Sequence, residues 1–77
     1  MKYEFDYSKL KGRVIEKYGS YSRFLTDLNM SMQLFNKRVN NITQFNSSEI
    51  KKISQLLEIN DNEITTYFFT EKVEKTQ

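Results

Sequence analysis

The chain has no cysteine, histidine, proline, alanine or tryptophan, and only two glycines. Without cysteine there are no disulfides and no thiolate metal sites. Without histidine it lacks the commonest general base and the commonest nitrogen ligand for metals. No glycine-rich loop could cradle a phosphate, and no acid, base and nucleophile are spaced to work together. The sequence therefore predicts no enzyme, no catalytic residues, no cofactor, no metal and no small-molecule substrate. Long apolar runs are also missing, so no membrane span is expected. Met1-Lys2-Tyr3-Glu4 has no apolar stretch behind it and does not read as a signal peptide, which leaves a cytoplasmic location as the expectation. At 77 residues there is room for one domain, 1–77. Six Phe and five Tyr can fill one small core. A fold this small, with no staple, needs well-packed helices or a partner subunit.

The net charge of +2 hides an asymmetry. Residues 9–52 carry nine Lys and Arg against Glu16, Asp27 and Glu49, whereas residues 53–77 carry two Lys against five acids. Between Asp27 and Glu49 lie 21 residues without an acid, and eleven of them are Asn, Gln, Ser or Thr. Such a stretch, with Lys37 and Arg38 inside it, suits a polyanion with readable edges: amides pair with bases, and hydroxyls hold phosphates. It equally suits a plain solvated face.

The pattern predicts an all-α chain of five short helices. Tyr7, Leu10, Val14 and Tyr18 recur at helical spacing, giving helix 1 at 7–18, with Asp6 as N-cap and Gly19 as the left-handed stop. Helix 2 covers 21–28, capped by Ser20, with Phe24, Leu25 and Leu28 inward. Asn29 tolerates a left-handed turn, and Ser31 caps helix 3 at 32–40, with Phe35 and Val39 inward. In the loop that follows, Ile42 and Phe45 are expected to tuck under. Asn46-Ser47-Ser48-Glu49 has capping-box spacing and opens helix 4 at 47–57. Asn60-Asp61-Asn62-Glu63 repeats that pattern before helix 5 at 61–67, with a tail over 68–77. Residues 2–5 and 69–73 read as short strands that pair with each other or across a dimer.

Helix 2, the short turn and helix 3 make a helix-turn-helix reading. The outer face of helix 3 offers Met32, Gln33, Asn36, Lys37 and Asn40 to a groove about 12 Å wide. Gln and Asn can pair with adenine, Lys can donate to guanine, and Met can lie on a thymine methyl. Each has a plainer reading as surface. Arg38 either reaches phosphate or lays its stem on the core edge, and Tyr21 either touches phosphate or packs on helix 1.

The run from Gly19 to Asn41 resembles the helix-turn-helix of the Cro/repressor (xenobiotic-response-element, XRE) family. The flanks Tyr3 to Leu10, Glu49-Ile50, Leu56 to Ile59 and Tyr67 to Thr70 resemble short Cro-like regulators of temperate phages and prophages. Tyr21 stands where that family has Gln, Leu25 where it has a small Ala, and Asn29 and Asn41 where it has Gly. The resemblance implies base reading by Met32, Gln33, Asn36 and Lys37, with Ser31 and Asn40 at the margins. It implies phosphate contacts from Tyr21, Ser22 and Arg23 and from the loop residues Asn41, Thr43 and Gln44. The expected function is a sequence-specific transcriptional regulator that occupies a double-stranded operator, an inverted repeat, as a homodimer. An aromatic patch suggests self-association, placing Tyr67, Phe68, Phe69 and Val73 at the dimer interface. The rival from another class is a protein-interaction module, either an antirepressor or an inhibitor of host defence.

Overall fold

The computed structural model describes residues 4–72, in which five α-helices follow one another: α1 (Ser8–Tyr18), α2 (Tyr21–Leu28), α3 (Met32–Val39), α4 (Ser47–Leu57) and α5 (Ile64–Phe68). A 3₁₀ turn, Asp61–Glu63, leads into α5, so the expected fifth helix begins as a tighter coil. Local chemistry sets most boundaries. Gly19 (φ 79°) and Asn29 (φ 62°) take the left-handed conformation that ends α1 and α2. The side chains of Ser20, Ser31 and Asn46 accept hydrogen bonds from the backbone N–H of Arg23, Leu34 and Glu49. Glu49 completes a capping box by accepting from the Asn46 N–H at 3.0 Å. Asp6 sits one residue before the cap position, which Tyr7 occupies, and accepts from the Ser8 N–H at 2.8 Å. Those Ser8 hydrogen bonds hold the Asp6 carboxyl below its usual range.

The core joins Tyr7, Leu10 and Val14 of the first segment to Phe24, Leu25, Leu28, Phe35, Val39, Ile53, Leu57, Ile59 and Phe68. Phe24, Phe35 and Phe68 are its largest fully buried side chains, and burying each stabilises the fold by roughly 1.5–3 kcal/mol. α1 packs on α2, α4 and α5, and α2 also packs on α4. Leu25 is accommodated within this core, with Met30 packed against it. Phe45 tucks under as expected, its ring edge-on to Tyr7 and Phe68 at 5.4 and 5.5 Å. Ile42 does not, and is 68% exposed. The backbone N–H groups of Ile42 and Thr43 both bond to the Lys37 carbonyl, at 2.9 and 3.2 Å, and Asn41 turns left-handed (φ 64°). That tight turn leaves the Ile42 side chain in solvent.

The expected terminal strands reduce, among the described residues, to one antiparallel bridge between Phe5 and Glu71. It is flanked by Asp6 N–H to Thr70 O at 2.8 Å and Lys72 N–H to Glu4 O at 2.9 Å. Residues 2, 3 and 73 of those strands lie outside the described region.

Candidate nucleic-acid interface

α3 is held by its inner face. The Phe35 ring sits 5.9 Å from Tyr21 and 6.1 Å from Phe24, and Val39 seals the far end of the helix. The turn before it is closed by Asn29 N–H to Thr26 O and Met30 N–H to Leu25 O, at 3.2 and 3.1 Å. Everything on the other face is exposed: Met32, Gln33, Asn36, Lys37 and Asn40. These residues lie together on one side because helical periodicity brings i, i+3, i+4 and i+7 into register. Among the described residues, neither Lys37 nor Arg23 forms an ion pair with a carboxylate. A hollow of about 480 Å³ opens between α2 and the first turn of α3, bordered by Ser22, Thr26, Asn29, Ser31 and Met32.

The acid closest in sequence after α3 is Glu49, and it is spoken for. Arg38 donates from Nε to Oε1 and from Nη2 to Oε2, both at 3.0 Å, and from Nη1 to Thr43 Oγ1 at 2.7 Å. Both charged side chains are mostly buried, 14% and 16% exposed. Burial pushes the Glu49 carboxyl up, but the Arg38 hydrogen bonds and charge and the Asn46 N–H outweigh it and leave it lowered. Bidentate pairing fixes the geometry of the loop after α3. It also cancels a negative charge that would otherwise oppose a polyanion.

The sequence-predicted phosphate residues divide on inspection. Ser22, Arg23, Thr43 and Gln44 are exposed, as is Ser31, whose hydroxyl oxygen already caps α3. Tyr21 is half-buried with its ring tilted on Phe35, so its packing partner includes α3. Arg38 is engaged by Glu49 and Thr43 rather than free to reach outward. The half-buried Asn41 spends its amide on Phe5, accepting from the N–H at 2.9 Å and donating to the C=O at 3.0 Å. Sequence reasoning missed both arrangements. The lone acid in the α4 capping box, flanked by a basic stretch, was the available signal for Arg38 and Glu49. Nothing local marks Asn41 and Phe5 as partners, 36 residues apart.

The aromatic candidates near the C-terminus also divide. Phe68 is 1% exposed and belongs to the core, so it is removed from the candidate dimer residues. Tyr67 is half-buried, with Lys9 Nζ 5.6 Å above its ring. Phe69 is 46% exposed, edge-on to Phe5 at 5.6 Å. Val73 lies outside the described residues.

No helix among the described residues is long and apolar enough to cross a membrane. The described residues also bring together no group of three or more Asp and Glu able to hold a metal ion. What they assemble is a small, mainly α-helical protein of five helices, with one short helix presented on a tight turn. Residues 3–71 match the family described as "Protein of unknown function (DUF739)", and the chain belongs to that family. No curated protein matches it.

Proposed function

We propose that this protein is a sequence-specific DNA-binding transcriptional regulator of the phage or prophage Cro/repressor kind, which lays α3 in the major groove of its operator. The observation that carries this reading is the exposed face of Met32, Gln33, Asn36, Lys37 and Asn40, acid-free and with Lys37 unpaired among the described residues. Gln33 and Asn36 supply bidentate amides for adenine, Lys37 a donor for guanine, and Met32 an apolar contact for a thymine methyl. Ser22, Arg23, Thr43 and Gln44 stand on either side of α3 and are suited to phosphate oxygens. Contacts to phosphate position such a protein, and contacts to bases specify its site. Two copies, paired through the segment that includes Tyr67 and Phe69, would place two α3 helices roughly 34 Å apart on an inverted repeat. Regulation follows from occupancy of a promoter, without chemistry.

The test is selection of bound sequences from random duplex DNA, followed by a mobility shift on the winner. The expected result is a palindromic site, bound with steep salt dependence because phosphate contacts release counterions. Lys37→Glu should abolish the shift and leave the helical circular dichroism intact. Recovery of no sequence at low salt, alongside a salt-insensitive complex with a protein, would give the function to the protein-interaction reading.

A further inference from the structure

Asn41 stands between two parts of the chain that, among the described residues, share no other hydrogen bond. On one side is the loop after α3, folded back on the helix by Asn41 N–H to Arg38 O at 3.2 Å and by two N–H bonds to the Lys37 carbonyl. On the other is the segment around Phe5, which pairs with residues 70–72 through Asp6 N–H to Thr70 O and Lys72 N–H to Glu4 O. Those two bonds use one edge of the segment. The N–H and C=O of Phe5 itself face the other edge, and the Asn41 amide takes both, at 2.9 and 3.0 Å. A side-chain amide has one donor and one acceptor side, so it satisfies a backbone edge as a neighbouring strand would. Asn41 can reach it because its own backbone is left-handed, at φ 64°.

We infer that Asn41 is a positioning residue: it clasps the paired terminal segments to the loop after α3 and thereby holds Thr43 and Gln44 where they meet the nucleic-acid backbone. The inference rests on the proposed DNA-binding function and assigns Asn41 a role other than direct phosphate contact. The clasp makes the terminal pairing part of the binding-competent state. Loosening residues 4–6 from 70–72 would slacken the Asn41 end of the loop, which Arg38 still holds at Thr43, although among the described residues neither segment hydrogen-bonds to the exposed face of α3. Asn suits the position on two counts, since it tolerates positive φ and carries an amide; glycine satisfies only the first.

The experiment follows from that difference. Asn41→Gly keeps the backbone conformation and deletes the amide. A second variant carries an ester in place of the Phe5 peptide N–H, which removes one partner of Asn41 and leaves the Asp6 N–H to Thr70 O bond and the Phe5 ring, while weakening the Glu4 carbonyl that accepts from Lys72. Amide exchange by NMR should accelerate together at Ile42 and Thr43 in both variants, with α1, α2 and α4 protected as in the parent. Affinity for the selected duplex should fall roughly tenfold in Asn41→Gly, the scale of one or two lost hydrogen bonds. Combining the two changes should cost less than their product, because both break the same clasp. Unchanged exchange at Ile42 and Thr43 in Asn41→Gly, unchanged affinity in that variant, or fully multiplicative losses would each overturn the inference. The exchange arm needs no DNA, so a parent that binds none removes the proposed function while the clasp is still decided by its own measurement.

Discussion

Arg38 of α3 and Glu49 of α4 form a two-pronged ion pair, Nε to Oε1 and Nη2 to Oε2, each at 3.0 Å. They are eleven positions apart in the chain, and the pair ties the start of α4 to the last turn of α3. Glu49 has a second task, since it also accepts from the Asn46 N–H within the capping box. One carboxylate thus caps the start of one helix and anchors its neighbour.

Removing that carboxylate leaves a largely buried guanidinium with only Thr43. Glu49→Ala is expected to destabilise the fold by about 2–4 kcal/mol, combining a broken buried pair with a lost cap interaction. Arg38→Met leaves Glu49 its Asn46 donor and should cost less. Denaturant melts of both variants would check the order. The pH dependence follows from the lowered Glu49 carboxyl. A group depressed in the folded state contributes fully above its unfolded value and loses that contribution as pH falls through its folded one. Acid melts of the parent should therefore show stability declining below roughly pH 4.3, the unperturbed glutamate value. Glu49→Gln should show a shallower decline.

Two exposed cations, Arg23 on α2 and Lys37 on α3, make a salt prediction. Arg23 and Lys37 are exposed and form no ion pair among the described residues. Arg23→Ala, if Arg23 holds phosphate alone, should weaken binding to every duplex about equally and reduce the slope of log affinity against log salt by about one. Lys37→Ala, if Lys37 reads a base, should weaken the selected site more than random DNA. Fluorescence anisotropy titrations at several salt concentrations separate the two roles.

Adjacent aromatics should behave in opposite ways. Phe68 is 1% exposed and meets Phe45 edge-on at 5.5 Å, so Phe68→Ala is expected to cost about 3–5 kcal/mol and to unfold much of so small a domain. Phe69 is 46% exposed. If it lies between subunits, Phe69→Asp should lower the association state seen by sedimentation and keep the helical spectrum. A parent that is monomeric at all concentrations would remove Phe69 from any interface.

What was legible in the sequence was local. Gly19, Asn29 and the caps Ser20, Ser31 and Asn46 act within a few residues of themselves, and the helix boundaries they imply match to within a residue or two. Inward stripes such as Leu10 with Val14 and Phe35 with Val39 follow from periodicity alone. The missed features need tertiary proximity. Arg38 meets Glu49, and Asn41 meets Phe5, only after the helices pack. Ile42 is apolar and so reads as a core residue, but the hydrogen bonds from the Ile42 and Thr43 N–H groups to the Lys37 carbonyl turn the chain so that its side chain points out. Ile59 is buried although no stripe included it, since it follows the left-handed Glu58 that ends α4. The candidate face on α3 was readable because it is a periodic pattern; which neighbouring side chains stay free as candidates for phosphate depended on which ones the fold had already engaged.

The turn before α3 offers the sharpest test of how backbone conformation serves the exposed face. Asn29 is left-handed at φ 62°, ψ 46°, and its N–H is bonded to Thr26 O. Glycine adopts that conformation without a Cβ clash, so Asn29→Gly should fold with stability close to the parent, its gain in the turn offset by greater freedom in the unfolded chain. Valine is branched at Cβ and rarely visits positive φ. Asn29→Val should therefore cost about 1–2 kcal/mol if the turn is kept. If the turn instead relaxes, the strain is relieved by rotating α3 away from Tyr21 and Phe24, and any affinity for the selected duplex falls while stability is largely retained. Thermal melts paired with binding titrations distinguish the two responses. Equal stability and equal affinity in Asn29→Val and Asn29→Gly would show that the left-handed turn does not set the pose of α3.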